Sequence, residues 1–221
     1  RDFNNDGRLD IVAGNAGTNF KWKPTIKRPV KLHIDDFDNN LQPDPIIFYD
    51  FFGKYVPFSS KDKLDKQLPY LKKKFPTYQS FSNVDDIKTL TGKDEDEILE
   101  TKYLYDLESS IFINNENKFV KYALPPSAQL SSIEDIKFLN NSNDLIYVGN
   151  NSKYVTELGF SSANPGGLLL DLDIEKMIFK KSKNLPLSFN KDYKEILVFD
   201  KSYLIFSNNN YIFSIKENSI E

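Results

Sequence analysis

The feature that most constrains this chain is a nine-residue loop of alternating oxygen-bearing side chains. It occurs twice, each time running into a short apolar segment. The first copy is Asp2-Phe3-Asn4-Asn5-Asp6-Gly7-Arg8-Leu9-Asp10, followed by Ile11-Val12-Ala13-Gly14-Asn15. Asp2, Asn4, Asp6 and Asp10 stand at loop positions 1, 3, 5 and 9, with Gly7 at position 6. Alternate residues of a tight loop point inward, and a glycine lets the chain turn sharply. Calcium is a hard cation that takes about 6–8 oxygen ligands, so this set, with the carbonyl of Arg8 at position 7, is a candidate Ca2+ site. The second copy, Asp36-Phe37-Asp38-Asn39-Asn40-Leu41-Gln42-Pro43-Asp44, repeats the pattern with Asp36, Asp38, Asn40 and Asp44 and the carbonyl of Gln42. Leu41 replaces the glycine, so that loop either makes the same turn with a side chain present or makes a different one. The metal-free alternative for both copies is an Asx-rich turn. An EF-hand requires a bidentate Glu at position 12 and flanking helices. Here that position is Ala13, within an apolar run that reads as a strand.

Strand-like segments bounded by Asn, Asp, Gly and Lys turns recur along the chain. They are 9–13, 30–34, 46–49, 110–114, 119–123, 133–138, 145–149, 167–172, 176–180, 195–199, 203–207 and 211–215. The 18 Phe and 12 Tyr favour this pleated, half-buried setting. The predicted class is all-β, and four strands per roughly 40–50 residues would give three to four propeller blades, an incomplete ring. The stretch 136–150 keeps Asp144 in the position 9 role and ends in Gly149-Asn150, an eroded copy of the loop and strand; the final stretch keeps only the strand pattern. Asn114–Asn117 and Asn208-Asn209-Asn210 read as short hairpin connections. Between Ser59 and Tyr105 the pattern turns helical: Leu64, Leu68 and Leu71 recur at helical intervals, Pro69 starts a new turn and Pro76 ends it. Asn83 is the predicted N-cap of a helix over Val84–Leu90. The expected division is therefore 1–58 (blades with two calcium loops), 59–105 (a helical insertion) and 106–221 (blades with degenerate repeats).

Charge and composition exclude several functions. The net charge of −3 offers no electrostatic case for a nucleic-acid or anionic-membrane partner, and Lys72-Lys73-Lys74 reads as a solvated helix face. Without cysteine there is no disulfide, zinc-thiolate site or thiol nucleophile. No apolar run approaches the ~20 residues of a membrane span, and no signal peptide is visible. Because Arg1 opens directly on the motif, the chain is expected to be part of a longer precursor. His33, the single histidine, lies in a strand and reads as packed. The best-spaced acids are taken up as calcium ligands, and Gly166-Gly167 reads as a turn into a strand, so an enzyme is not expected. Trp22, Tyr70, Tyr78 and Tyr154 are candidates for stacking on a glycan or anchoring a protein partner, against core or edge packing as the plainer role.

The chain resembles the FG-GAP/VCBS-repeat (integrin-alpha-like) β-propeller proteins of the ASPIC/UnbV-associated group common in Bacteroidetes. The loops are similar to that family's D-x-D-x-D-G-x-x-D motif. Further likeness lies in VAGNAGTNFKWK at 12–23, YVPFSSKDKLDKQLPYLKKKFPTYQSF at 55–81, ALPPSAQLSSIEDI at 123–136 and ELGFSSANPGGLLL at 157–170. The resemblance implies calcium at Asp2, Asn4, Asp6, Arg8 and Asp10, and at Asp36, Asp38, Asn40, Gln42 and Asp44, with Leu41 as the departure. It also implies a secreted or lipid-anchored outer-membrane protein, with a protein partner at the membrane or a surface glycan. A glycan-binding module or carbohydrate-active propeller linked to nutrient uptake is the alternative.

Overall fold

The computed structural model describes residues 1–139, 142–153, 162–208 and 211–216. Its strands form four antiparallel sheets, and the class is predominantly β, with no closed barrel among the described residues. The chain divides into two compact units, residues 1–21 with 107–221 (unit 1) and residues 22–106 (unit 2).

Among the described residues, unit 1 holds ten strands. In chain order they are β1 (Ile11–Ala13), β6 (Ser110–Asn115), β7 (Lys118–Ala123), β8 (Ile133–Phe138), β9 (Leu145–Gly149), β10 (Gly166–Asp173), β11 (Ile178–Asn184), β12 (Tyr193–Phe199), β13 (Ser202–Ser207) and β14 (Ile212–Lys216). They make three sheets, ordered β1-β6-β7, β11-β10-β9-β8 and β12-β13-β14. Strand β9 explains how the sheets stack. Its run Leu-Ile-Tyr-Val-Gly is buried throughout, because alternate side chains point to opposite faces and both faces are covered. Leu145 and Tyr147 pack with Phe3, Ile111 and Ile113 of the first sheet's side. Ile146 and Val148 pack with Ile196, Tyr203 and Ile205 of the third sheet. Three sheets thus lie face on face in series. Gly149 permits the tightest approach: a Cβ there would meet the Ser132 carbonyl oxygen at 1.9 Å. At a bulge in β8, Asp135 Oδ2 accepts a 2.8 Å bond from the Ile196 N–H, tying the edge of β12 to the neighbouring sheet.

Unit 2 is one sheet and its helices. Strands β2 (Val30–Asp35), β3 (Asp44–Phe51), β4 (Lys54–Pro57) and β5 (Glu100–Leu104) order as β4-β3-β2-β5. Helices α1 (Lys61–Gln67), α2 (Leu71–Lys74), α3 (Tyr78–Phe81) and α4 (Ile87–Thr91) fill the stretch between β4 and β5. Each helix is too short to be stable alone and holds its shape through one apolar face. Leu64, Leu68, Leu71, Val84, Ile87 and Leu90 pack on Phe37, Ile46 and Phe48 in a single core. The helices of 59–105 therefore share their interior with strands of 30–57. The proline readings match the break at Pro69 and the stop before Pro76. The cap reading is corrected: α4 begins at Ile87, and its N-cap is Asp86, not Asn83. The Asp86 carboxylate accepts from the Thr89 N–H at 2.6 Å, while Val84, expected inside the helix, is buried ahead of it.

Candidate metal centre

The two loops are built alike. Loop 1 (2–10) runs into β1, and loop 2 (36–44) joins β2 to β3, so strands and not helices adjoin them. At position 2, Phe3 and Phe37 are buried, anchoring each loop to its own unit's core. The oxygens at positions 1, 3 and 5 accept the loop's own backbone N–H groups. In loop 1, Asp2 takes bonds from Asp6 N (3.2 Å) and Gly7 N (2.8 Å), Asn4 Oδ1 from Asp6 N (3.2 Å), and Asp6 Oδ1 from Arg8 N (2.9 Å). In loop 2, Asp36 takes bonds from Asn40 N (2.9 Å) and Leu41 N (2.8 Å), Asp38 Oδ1 from Asn40 N (3.2 Å), and Asn40 Oδ1 from Gln42 N (2.8 Å). The position 9 carboxylates are buried and accept from the position 2 amide: Asp10 from Phe3 N at 2.7 Å, Asp44 from Phe37 N at 3.2 Å.

The backbone answers the question posed by Leu41. Positions 4 and 6 are left-handed in both loops, Asn5 (φ 58) and Gly7 (φ 85) in one, Asn39 (φ 61) and Leu41 (φ 67) in the other. Loop 2 makes the glycine turn without a glycine, and Leu41 points its side chain into solvent, 93% exposed.

The donors differ in readiness. In loop 2, one carboxylate oxygen each from Asp36, Asp38 and Asp44 lies within 4.8 Å of the others, the one such acidic group of three among the described residues. In loop 1 the Asp6 Oδ2 is engaged by the Arg8 guanidinium (2.5 Å) and the Asn4 amide (2.8 Å), so a cation there competes with a fixed positive charge. Local bonding favours the ionised form of Asp6 and Asp36. The Asn4 side-chain amide holds Asp6 below the usual carboxylate range, helped by the Arg8 amide and charge. For Asp36, burial opposes ionisation, but the amides of Leu41, Asn40 and Asn39 outweigh it and lower its pKa. The donor set is all oxygen and anionic, which fits calcium.

Two residues from the helices reach loop 2 without any local sequence signal. Gln67 Nε2, at the end of α1, donates to Asp44 Oδ1 (3.3 Å) and the Pro45 carbonyl (3.4 Å). The Tyr70 hydroxyl, buried without a hydrogen-bond partner, has its pKa raised by burial and then by the charges of Asp44 and Asp38. In loop 1 the matching tie comes from β6, where Asn114 N donates to Asp10 Oδ1 at 2.8 Å. In the eroded third copy, Asp144 instead accepts from Asp171 N at 2.7 Å.

The other sequence candidates fall elsewhere. His33 is 1% exposed, edge-on to Phe48, with Nδ1 3.0 Å from Thr101 Oγ1; burial lowers its pKa. Beside it, Lys31, Tyr55, Asp86 and Glu95 line a pocket of about 40 Å³, room for a few waters rather than a substrate. Trp22 packs edge-on to Phe58 at 5.2 Å. Tyr78 is exposed, its hydroxyl donating to Asp62 at 2.8 Å. Tyr154, Asn209, Asn210 and residues 157–161 of the family-like stretch lie outside the described residues. No helix is long and apolar enough to cross a membrane among the described residues. No protein-family model matches the chain, and no curated protein or solved structure does so either.

Proposed function

We propose that the chain is a calcium-stabilised portion of an extracellular β-propeller, serving a larger surface protein as a non-catalytic binding or scaffold module. The observation that carries the reading is the bond-for-bond equivalence of loops 1 and 2, ending in the convergent oxygens of Asp36, Asp38 and Asp44. The serial face-on-face packing of the unit 1 sheets supports the propeller, since blades pack on one another in this way. Asp36, Asp38, Asn40 and Asp44, with the Gln42 carbonyl, would hold the ion in loop 2. Asp2, Asn4, Asp6 and Asp10, with the Arg8 carbonyl, would hold it in loop 1. Calcium supplies the positive charge that turns mutually repelling carboxylates into a cross-link, while the buried Phe3 and Phe37 keep each loop seated.

Calorimetric titration of chelator-treated protein tests this. Two sites with Kd of about 10⁻⁴–10⁻³ M are expected, as for extracellular modules. Asp6→Ala should remove one site and Asp38→Ala the other. Absence of calcium heat together with a melting temperature indifferent to EDTA rejects the reading.

A further inference from the structure

Loop 2 joins the end of β2 to the start of β3, so the antiparallel register, Asp35 opposite Asp44 and Lys31 opposite Phe48, fixes which structures lie at the other end of that sheet. Two turns lie there. One spans Thr25–Arg28, closed by paired backbone bonds of 3.1 Å, with Ile26 86% exposed at its tip. The other is the two-residue connection Phe52-Gly53 between β3 and β4, with Phe52 94% exposed and Phe51 47% exposed beside it. The Arg28 guanidinium pairs with the Asp50 carboxylate, which brings the turns together.

The second turn breaks a local rule. Phe52 and Gly53 both have positive φ, 51 and 88, the pattern of a type I′ hairpin turn. Asn-Gly is favoured there, because Asn tolerates the left-handed region and a β-carbon bearing a ring does not. The chain instead keeps an aromatic ring in a strained position and in water. The Phe51 and Phe52 rings meet edge-on at 4.8 Å, a paired apolar knob with no covering element among the described residues. Lys27, Arg28 and Lys54 adjoin it along the chain and are exposed. Arg28 is neutralised by Asp50, and Lys54 Nζ donates to the Ser82 carbonyl at 2.8 Å, which leaves the charges of Lys27 and Lys54 beside the knob.

We propose that this end of unit 2 is an interfacial contact for an anionic lipid bilayer, with Ile26, Phe51 and Phe52 entering the headgroup region and Lys27 and Lys54 supplying the charge that attracts lipid phosphates. Aromatic rings partition to the headgroup level, and basic residues add attraction there. Distant acids do not oppose this, because charge is screened over about 8 Å at physiological salt. The inference does not depend on calcium binding.

Co-sedimentation of the whole chain with phosphatidylglycerol–phosphatidylcholine vesicles, against phosphatidylcholine alone, is the test, run in EDTA so that calcium bridging is absent. The anionic vesicles should retain about fivefold more protein, and raised salt should reduce this. Phe52→Asn should abolish the excess while its melting temperature stays equal or rises, since Asn relieves the turn. Lys27→Glu should weaken it. Equal retention on both vesicles, no retention, or retention unchanged in Phe52→Asn overturns the proposal. So does a dimer in analytical ultracentrifugation that Phe52→Asn dissociates, which would make the knob a contact between copies, or binding of a soluble polysaccharide lost in that variant.

Discussion

Leu41 shows how a single residue records a compromise. A branched side chain in the left-handed region costs about 1–2 kcal/mol, whereas glycine costs only its extra freedom in the unfolded chain, about 0.5–1 kcal/mol. The Leu41 side chain recovers little of this, because it is almost wholly in solvent. Leu41→Gly is therefore expected to stabilise unit 2 by about 0.5–1 kcal/mol, read as a higher urea midpoint at unchanged slope. His33 makes the opposite kind of demand. Burial depresses its pKa, so the unfolded chain binds its proton first as pH falls. The stability that comes from keeping it neutral is complete above about pH 6.5 and is lost as pH falls through the lower folded value. Thermal melts of unit 2 should weaken below about pH 6.5, and His33→Asn should flatten that slope.

At the level of elements, the helices of unit 2 are the structural support of the second loop. Gln67 ends α1 with its amide on Asp44, and α1 is itself held by Leu64 and Leu68 in the core shared with Ile46 and Phe48. Partners that orient a ligand commonly matter about 10–100-fold in metal affinity. Gln67→Leu should accordingly weaken calcium at loop 2 by about tenfold and leave loop 1 untouched, measured by titration of the two sites. This link could not be read locally, because Gln67 stands 23 residues from Asp44 and only the folded core brings them together. The loops themselves were legible, since the bonds within each join residues at most seven apart and are set by Asx side chains in place. Most strands were legible for a similar reason, as alternating aromatic and β-branched residues between turn formers. Strands β4 and β5 were not. Lys54–Pro57 follows a turn whose Phe52 hides the usual Asn-Gly signal, and Glu100–Leu104 is a polar edge strand in a charge-rich stretch. The cap of α4 is not where the sequence reading puts it because Asn83 and Asp86 both suit the role, and the Asp86 bond to the Thr89 N–H in the folded chain decides between them.

For the whole molecule, the decisive arrangement is one oxygen-lined loop per compact unit, each seated by its own phenylalanine in its own core. A ligand that binds the folded form alone stabilises by RT ln(1 + [L]/Kd), about 1.4 kcal/mol for 1 mM calcium and a Kd near 0.1 mM. That increment should fall separately on each unit. Scanning calorimetry in EDTA and in calcium is expected to show two transitions that both rise with the ion. Leu90→Ala identifies the unit 2 transition: Leu90 is fully buried among Leu71 and Ile87, so its truncation should cost about 2–5 kcal/mol there. Asp38→Ala should then cancel the calcium shift of that transition alone, and Asp6→Ala the shift of the other. A single transition lowered by Leu90→Ala and moved by both loop variants would mean that the units unfold together, and calcium at either loop would then stabilise the entire chain.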